Sequence, residues 1–204
     1  MTSDPCRRLQ ALIRADPARM RLLHSLQALA LPDAWIAAGT VRGAVWDHLH
    51  GRRLRPPAGD VDIVWFAPGA GRAADRRLER RLAAAAPRIA WSVKNQARMH
   101  LRNGDAPYRD TADAMRHWPE TATAVAVRLS GRRLEVLAPC GLDDLFRLVL
   151  RPTAGFRRAR RAVVCARIRD KKWQSRWPRL RAAWAPAYAA AGRRSRLTSR
   201  TTSQ

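Results

Sequence analysis

The chain has 204 residues, 47% of them hydrophobic, enough to bury one core with a helical appendage but not two independent domains. It has no run of about 18 apolar residues, and its first residues, MTSDPCRRLQ, lack the charged-then-apolar order of a secretory signal, so the expectation is a soluble cytoplasmic protein with no membrane partner. The formal charge of +24 favours polyanions through its field, while Cys6, Cys140 and Cys165, without CxxC spacing, argue against a disulfide frame or a zinc knuckle.

Between about Asp4 and Ala30, apolar residues from Leu9 to Leu29 recur at spacings near three and four, which predicts one or two amphipathic helices separated at Pro17. The short run Trp35 to Gly39 predicts a strand, and Thr40 to His50 a helix closed by Gly51. Arg52 to Gly59, with two prolines, is a loop, and Asp60 to Phe66 is a strand rich in Val, Ile and aromatics. Ala74 to Ala86 predicts a charged helix, Arg88 to His100 a further strand, and Thr111 to His117 a short helix. Two alternating runs around Ser130-Gly131 predict a β-hairpin, Gly141 to Pro152 a helix with acidic residues in its first turn, and Phe156 to Arg181 another with Trp173 and Trp177 on one face. Arginines concentrate toward the C-terminus, so that end is the expected surface for any non-specific attraction of nucleic acid.

In a strand, alternate side chains share a face, so Asp60 and Asp62 stand together, about 7 Å apart along the backbone. Such a pair repels itself, and a hard cation such as Mg²⁺, commonly held by one or two carboxylates plus substrate phosphates, would relieve the repulsion. The competing reading makes Asp60 a turn residue and Asp62 a solvated edge residue. What favours the site is a small turn just before a predicted helix: Gly39 lets a phosphate approach the backbone, Thr40 offers a hydroxyl, and Arg42 offers a planar fork of donors. Lys94, Asn95 and Gln96 form a polar triplet in a strand-like run. They either contact the nucleotide or make a buried network that pins the next loop. Asp143 and Asp144 read as helix-cap residues, and Asp47, His48 and His50 as structural.

The string IAAGTVRGAVWDHLHG followed by GDVDIVWF resembles the polymerase-beta-type nucleotidyltransferase superfamily, whose signature is a Gly-Gly or Gly-Ser turn, a helix and an Asp-x-Asp strand. WSVKNQARMHLRNGDAPY, WPETATAVAVRL and APCGLDDLF are similar to an uncharacterised bacterial nucleotidyltransferase-like family within it. The resemblance implies an α+β fold, a mixed β-sheet core flanked by helices. The resemblance covers about Leu31 to Pro152 and, more weakly, the segment through KKWQSRWPRL; with the sequence pattern, the chain is expected to divide into a core with N-terminal helices (residues 1–152), a helical extension (153–191) and a disordered basic tail (192–204). The resemblance also implies transfer of a nucleoside monophosphate from a nucleoside triphosphate to a hydroxyl of an unknown acceptor (small molecule, protein or RNA), or nucleotide or nucleic-acid binding without turnover on the same fold. Thr40 stands where Ser or Gly is usual. Superfamily members often carry a third metal carboxylate on a later hairpin strand, where Glu135 is the acidic residue; the alternative is that Glu135 pairs with Arg133 or Arg128.

Overall fold

The computed structural model describes residues 4–53, 55–57 and 59–184. Two Asp-Pro steps open the chain's first helices, α1 (Pro5–Arg14) and α2 (Pro17–Gln27). Asp4 accepts from the Cys6 N–H and Asp16 from the Arg19 N–H, and each proline takes the first helical position, where its missing donor costs nothing. Pro17 therefore separates the helices by starting the second.

Strand β1 (Trp35–Ala37) leads into α3 (Gly39–Leu49), then β2 (Val61–Trp65), α4 (Arg72–Ala85) and β3 (Trp91–Asn95). After α5 (Met99–Asn103) and α6 (Thr111–Arg116), β4 (Ala126–Ser130) and β5 (Arg133–Leu137) form the hairpin around Gly131. The five strands make one mixed sheet in the order β3-β2-β1-β4-β5, with β2 and β3 parallel and the other pairs antiparallel. Helices pack on this sheet, so the α+β architecture follows.

Register assigns the two faces. Ile36 pairs with Ile63 and Val127, and that face joins Leu9, Ile13, Leu23, Trp46, Leu78 and Leu82 in the main core. Asp62 pairs with Ala37, which pairs with Ala126, and that opposite face buries Trp35, Val64 and Ala126 against Met115. Both faces of the central strands are covered, which is why β1 and β2 read as near-continuous apolar runs broken by Asp62.

Three expected elements are shorter than the sequence pattern suggests. The strand from Arg88 ends at Asn95, whose side chain accepts from the Ala97 N–H and bends the chain into a 3₁₀ turn before α5. The helix expected over 141–152 spans only α7 (Asp143–Phe146), because Leu148 adopts a positive φ of 58° and the chain enters β6 (Val149–Leu150). The long helix expected from Phe156 breaks into α8 (Arg161–Asp170) and α9 (Trp173–Arg176), with left-handed Lys172 (φ 50°) between them. Pro178 disfavours helix at Trp177, and β7 (Arg181–Ala182) then pairs in parallel with β6. Trp173, Trp177 and Leu180 enter the same core as the N-terminal helices. The tail 192–204 lies outside the described residues, and no described helix is long and apolar enough to cross a membrane.

Candidate active site

The turn between β1 and α3 sets the geometry. Ala38 is held at φ 52° and ψ −122°, a conformation that residues with a Cβ rarely adopt. Its N–H donates to the Val125 carbonyl (3.0 Å), and its own carbonyl accepts from the Arg42 N–H (2.8 Å). No side chain caps α3, so the positive end of an eleven-residue helix is presented at Gly39 without a protein acceptor.

That end opens into a cavity of about 250 Å³ lined by Ala38, Gly39, Arg42, Asp60 and Asp62 together with cations from the C-terminal segment. Asp62 is half-buried on β2 and Asp60 is exposed just before it. Burial, and then the charge of Asp60, push the Asp62 carboxyl above its ordinary range, against the opposing pull of Arg42, Lys171 and Lys94. Asp62 is thus under-compensated, and with Asp60 it offers an all-oxygen donor set that fits Mg²⁺ completed by substrate phosphates.

Arg42 is the most unusual group here. It is 7% exposed, and its guanidinium packs between the rings of Trp46 (4.8 Å to the centroid) and Trp173 (4.2 Å). Nη1 donates to Thr123 Oγ1 at 2.7 Å, while Nε has no partner among the described residues. No described carboxylate forms an ion pair with it. Burial lowers its pKa to about 10, so at neutral pH it remains a cation. A buried cation without a direct ion-pair partner among the described residues is costly, and an anionic ligand would reduce the cost.

The structure does not bring the other sequence candidates together so closely. Glu135 faces the same side of the sheet as Asp62 but sits on β5, three strand spacings or about 14 Å away, where Oε2 accepts from Arg128 Nε at 2.7 Å. Among the described residues no third His, Cys, Asp or Glu joins the aspartate pair. The Thr40 hydroxyl is buried with no partner among the described residues, and the Thr40 carbonyl accepts from Arg19 Nε at 2.7 Å. Asn95 is fully buried: Oδ1 accepts from the N–H groups of Ala67 and Ala97, and Nδ2 donates to the carbonyls of Ala67 and Ala70. With all four bonds made, Asn95 pins the 67–70 loop. Gln96 is likewise engaged, with the Lys94 carbonyl and the Trp118 indole. Lys94 alone of the triplet projects outward, 3.6 Å from Glu79, on the rim of a second cavity of about 480 Å³ that Asp62 also lines.

Sequence reasoning missed the contribution of the C-terminal helices. Arg167, Lys171 and Arg176 all line the first cavity. They are placed there by a tryptophan cluster in which Trp46 meets Trp173 (5.7 Å) and Trp177 (5.0 Å) edge to face. The Trp177 indole donates to Asp47 Oδ1 at 2.8 Å, which locks α9 against α3 and bears out Asp47 as structural. The Trp173 and Trp177 spacing was visible in the sequence, but nothing in it tied those rings to Trp46.

No curated protein matches the chain. Among solved structures it is similar to a protein whose NMR structure reveals a CCA-adding enzyme head domain, at 32% identity and a TM-score of 0.74, over 85% of this chain and 94% of that one. Weaker similarities are to the Bacillus stearothermophilus CCA-adding enzyme in complex with CTP (20% identity, TM-score 0.45) and to tRNA-processing enzyme complex 3 (18%, TM-score 0.47). They cover 74% and 79% of this chain but only 38% and 43% of those longer ones. The sequence model of a family described as nucleotidyltransferase matches residues 24–182, so the strained turn, the helix end and the aspartate pair all fall within the match, and the chain belongs to that nucleotidyltransferase family.

Proposed function

We propose that the protein transfers a nucleoside monophosphate from a nucleoside triphosphate to the hydroxyl of an acceptor, by in-line displacement at the α-phosphate. The observation that carries this reading is the buried guanidinium of Arg42, without an ion-pair partner among the described residues, beside an uncapped helix end and the neighbouring carboxylates of Asp60 and Asp62. Arg42 and the backbone at Gly39 bind and orient the phosphates, with Lys171 and Arg176 adding charge from the C-terminal side. The 250 Å³ cavity is smaller than usual for a whole ligand and takes the phosphates; the 480 Å³ cavity across Asp62 takes organic parts, against a wall that includes Trp118 and Phe156. Asp60 and Asp62 would hold Mg²⁺, which when bound polarises the phosphoryl group and neutralises the developing charge. Three free cysteines fit the reducing cytoplasm as the site of action.

Incubating the purified protein with labelled nucleotides, Mg²⁺ and cell extract tests the reading. A labelled product supports it and identifies the acceptor as a small molecule, a protein or RNA. A second reading, nucleotide binding without turnover, is favoured by the lack of a third acid beside Asp60 and Asp62 among the described residues. Tight nucleotide binding with no label transferred to any fraction would establish that second reading.

Gly39 gives a local check. A Cβ there would meet only Arg42 Nη2, at 3.9 Å, so Gly39→Val is expected to fold normally. It should nevertheless lose about tenfold or more in nucleotide affinity by calorimetry, because the side chain stands where a phosphate must approach the backbone. Unchanged affinity would remove this turn from the site.

Residues 192–204 carry arginines but no apolar periodicity, which assigns them to general attraction of anions. Deleting them should leave turnover on a small nucleotide intact and flatten the salt dependence of nucleic-acid binding. Loss of turnover on a small substrate at low salt would instead make the tail part of the active site.

A further inference from the structure

Glu120 is 0% exposed, and a fully buried carboxylate needs partners for both oxygens. It has a partner for one. Oε1 accepts from Arg167 Nε at 2.9 Å, while Oε2 is buried with no partner among the described residues. A carboxylate whose only task was to fasten α8 to the core would be expected to take the guanidinium fork with two parallel bonds. Here Nε alone is engaged among the described residues, which leaves both terminal nitrogens of Arg167 uncommitted.

Arg167 lines both cavities, the smaller one beside Arg42 and the larger one across Asp62. Its positive charge and that of Arg42 oppose each other, while Glu120 is the largest compensating charge that Arg42 feels. Arg42 and Glu120 are buried and the Arg167 side chain is 37% exposed toward the cavities it lines, so two guanidinium groups and one carboxylate leave a net positive charge at the cavity wall, and neither guanidinium uses all its donors within the protein. Packing alone gives no reason to gather such a set; a shared anion does.

We propose that Arg167, seated by the single bond it donates to Glu120, is a phosphate-contacting residue that grips the same polyphosphate as Arg42 from α8, and that Glu120 acts only through Arg167 as its positioning residue. This rests on the reading of the cavity as the phosphate site of a nucleotidyltransferase. Neither residue carries a recognisable signal in the sequence, since Arg167 is one arginine among many in its helix and Glu120 precedes an apolar strand.

The test uses the full chain and inorganic tripolyphosphate, without metal, titrated by calorimetry. Wild type is expected to bind it, and Arg42→Ala and Arg167→Ala each to weaken it by about tenfold or more, the scale of one charge-assisted hydrogen bond. Arg167→Lys should not restore binding, because an ammonium cannot donate one bond to Glu120 and still offer a fork. Glu120→Gln should weaken binding in the wild-type background but have no further effect on top of Arg167→Ala, a non-additivity that a merely structural role would not produce. Should Arg167→Ala fail to fold, the Arg167→Lys and Glu120→Gln titrations decide alone. Binding lost in Arg42→Ala but unchanged in the Arg167 variants would overturn this inference and leave the phosphate site standing. No binding by wild type would overturn both.

Discussion

Asp62→Ala is expected to lose at least about a hundredfold in nucleotide transfer, the scale of several kcal/mol of lost charge stabilisation, while melting at the same temperature as wild type or slightly above it. The two readouts move apart because Asp62 serves the reaction at the expense of the fold. Burial and the neighbouring charge of Asp60 both disfavour its carboxylate in the free protein, outweighing the pull of Arg42, Lys171 and Lys94. Alanine removes that repulsion and keeps the strand pairing of Asp62 with Ala37 and Ser92, which is made by backbone. Asp60→Ala should lose transfer in the same way with less change in melting, since Asp60 is exposed. Transfer of radiolabel and a thermal melt measure both. Full transfer by either folded variant would take the aspartate pair out of the reaction.

The segment that holds these aspartates was the most legible part of the chain. A short apolar run, a small turn, a helix and a second apolar strand are local patterns, and β1, α3 and β2 follow them almost residue for residue. Local pattern also gave the β4–β5 hairpin, because a Ser-Gly turn between alternating runs fixes its own register. Strand order is different in kind: nothing local says that β1 sits between β2 and β4, and it is this order that sets Glu135 at the far edge of the sheet from Asp62. The sequence offered Arg128 as a rival partner for Glu135, and cross-strand pairing realises it. Asn95 shows the limit from the other side. A polar residue in a strand signals that partners are needed, but only the fold reveals that four backbone groups of neighbouring turns supply them. The C-terminal helices failed as one long element because Lys172 and Pro178 interrupt a pattern whose apolar positions still repeat. Those interruptions turn Trp173 and Trp177 inward and leave Lys171 and Arg176 at the cavity rim.

Arg42→Met is expected to bind nucleoside triphosphate about ten- to a thousandfold more weakly while leaving the free protein as stable as wild type or more so. Methionine is flexible and of comparable reach, so it can keep contact with the rings of Trp46 and Trp173 that now enclose the guanidinium. Two terms then compete in the free protein. The loss is a charge-assisted hydrogen bond to Thr123, worth about 1.5–3 kcal/mol, together with the attraction of the guanidinium to the two indole rings. The gain is the removal of a buried charge that no described carboxylate pairs with and whose pKa burial has already drawn down to about 10. The second term is at least comparable, because a charge without an ion-pair partner in a nearly closed site costs several kcal/mol even after relaxation. With nucleotide present the balance reverses, since each charge-assisted bond from guanidinium to phosphate contributes about 1.5–3 kcal/mol, and one or two such bonds span the stated loss of affinity. Calorimetric titration with a nucleoside triphosphate, paired with thermal melting in its absence, separates the two terms. A variant that melts well below wild type yet binds nucleotide as tightly would make Arg42 an ordinary packing residue and remove the central cation from the proposed site.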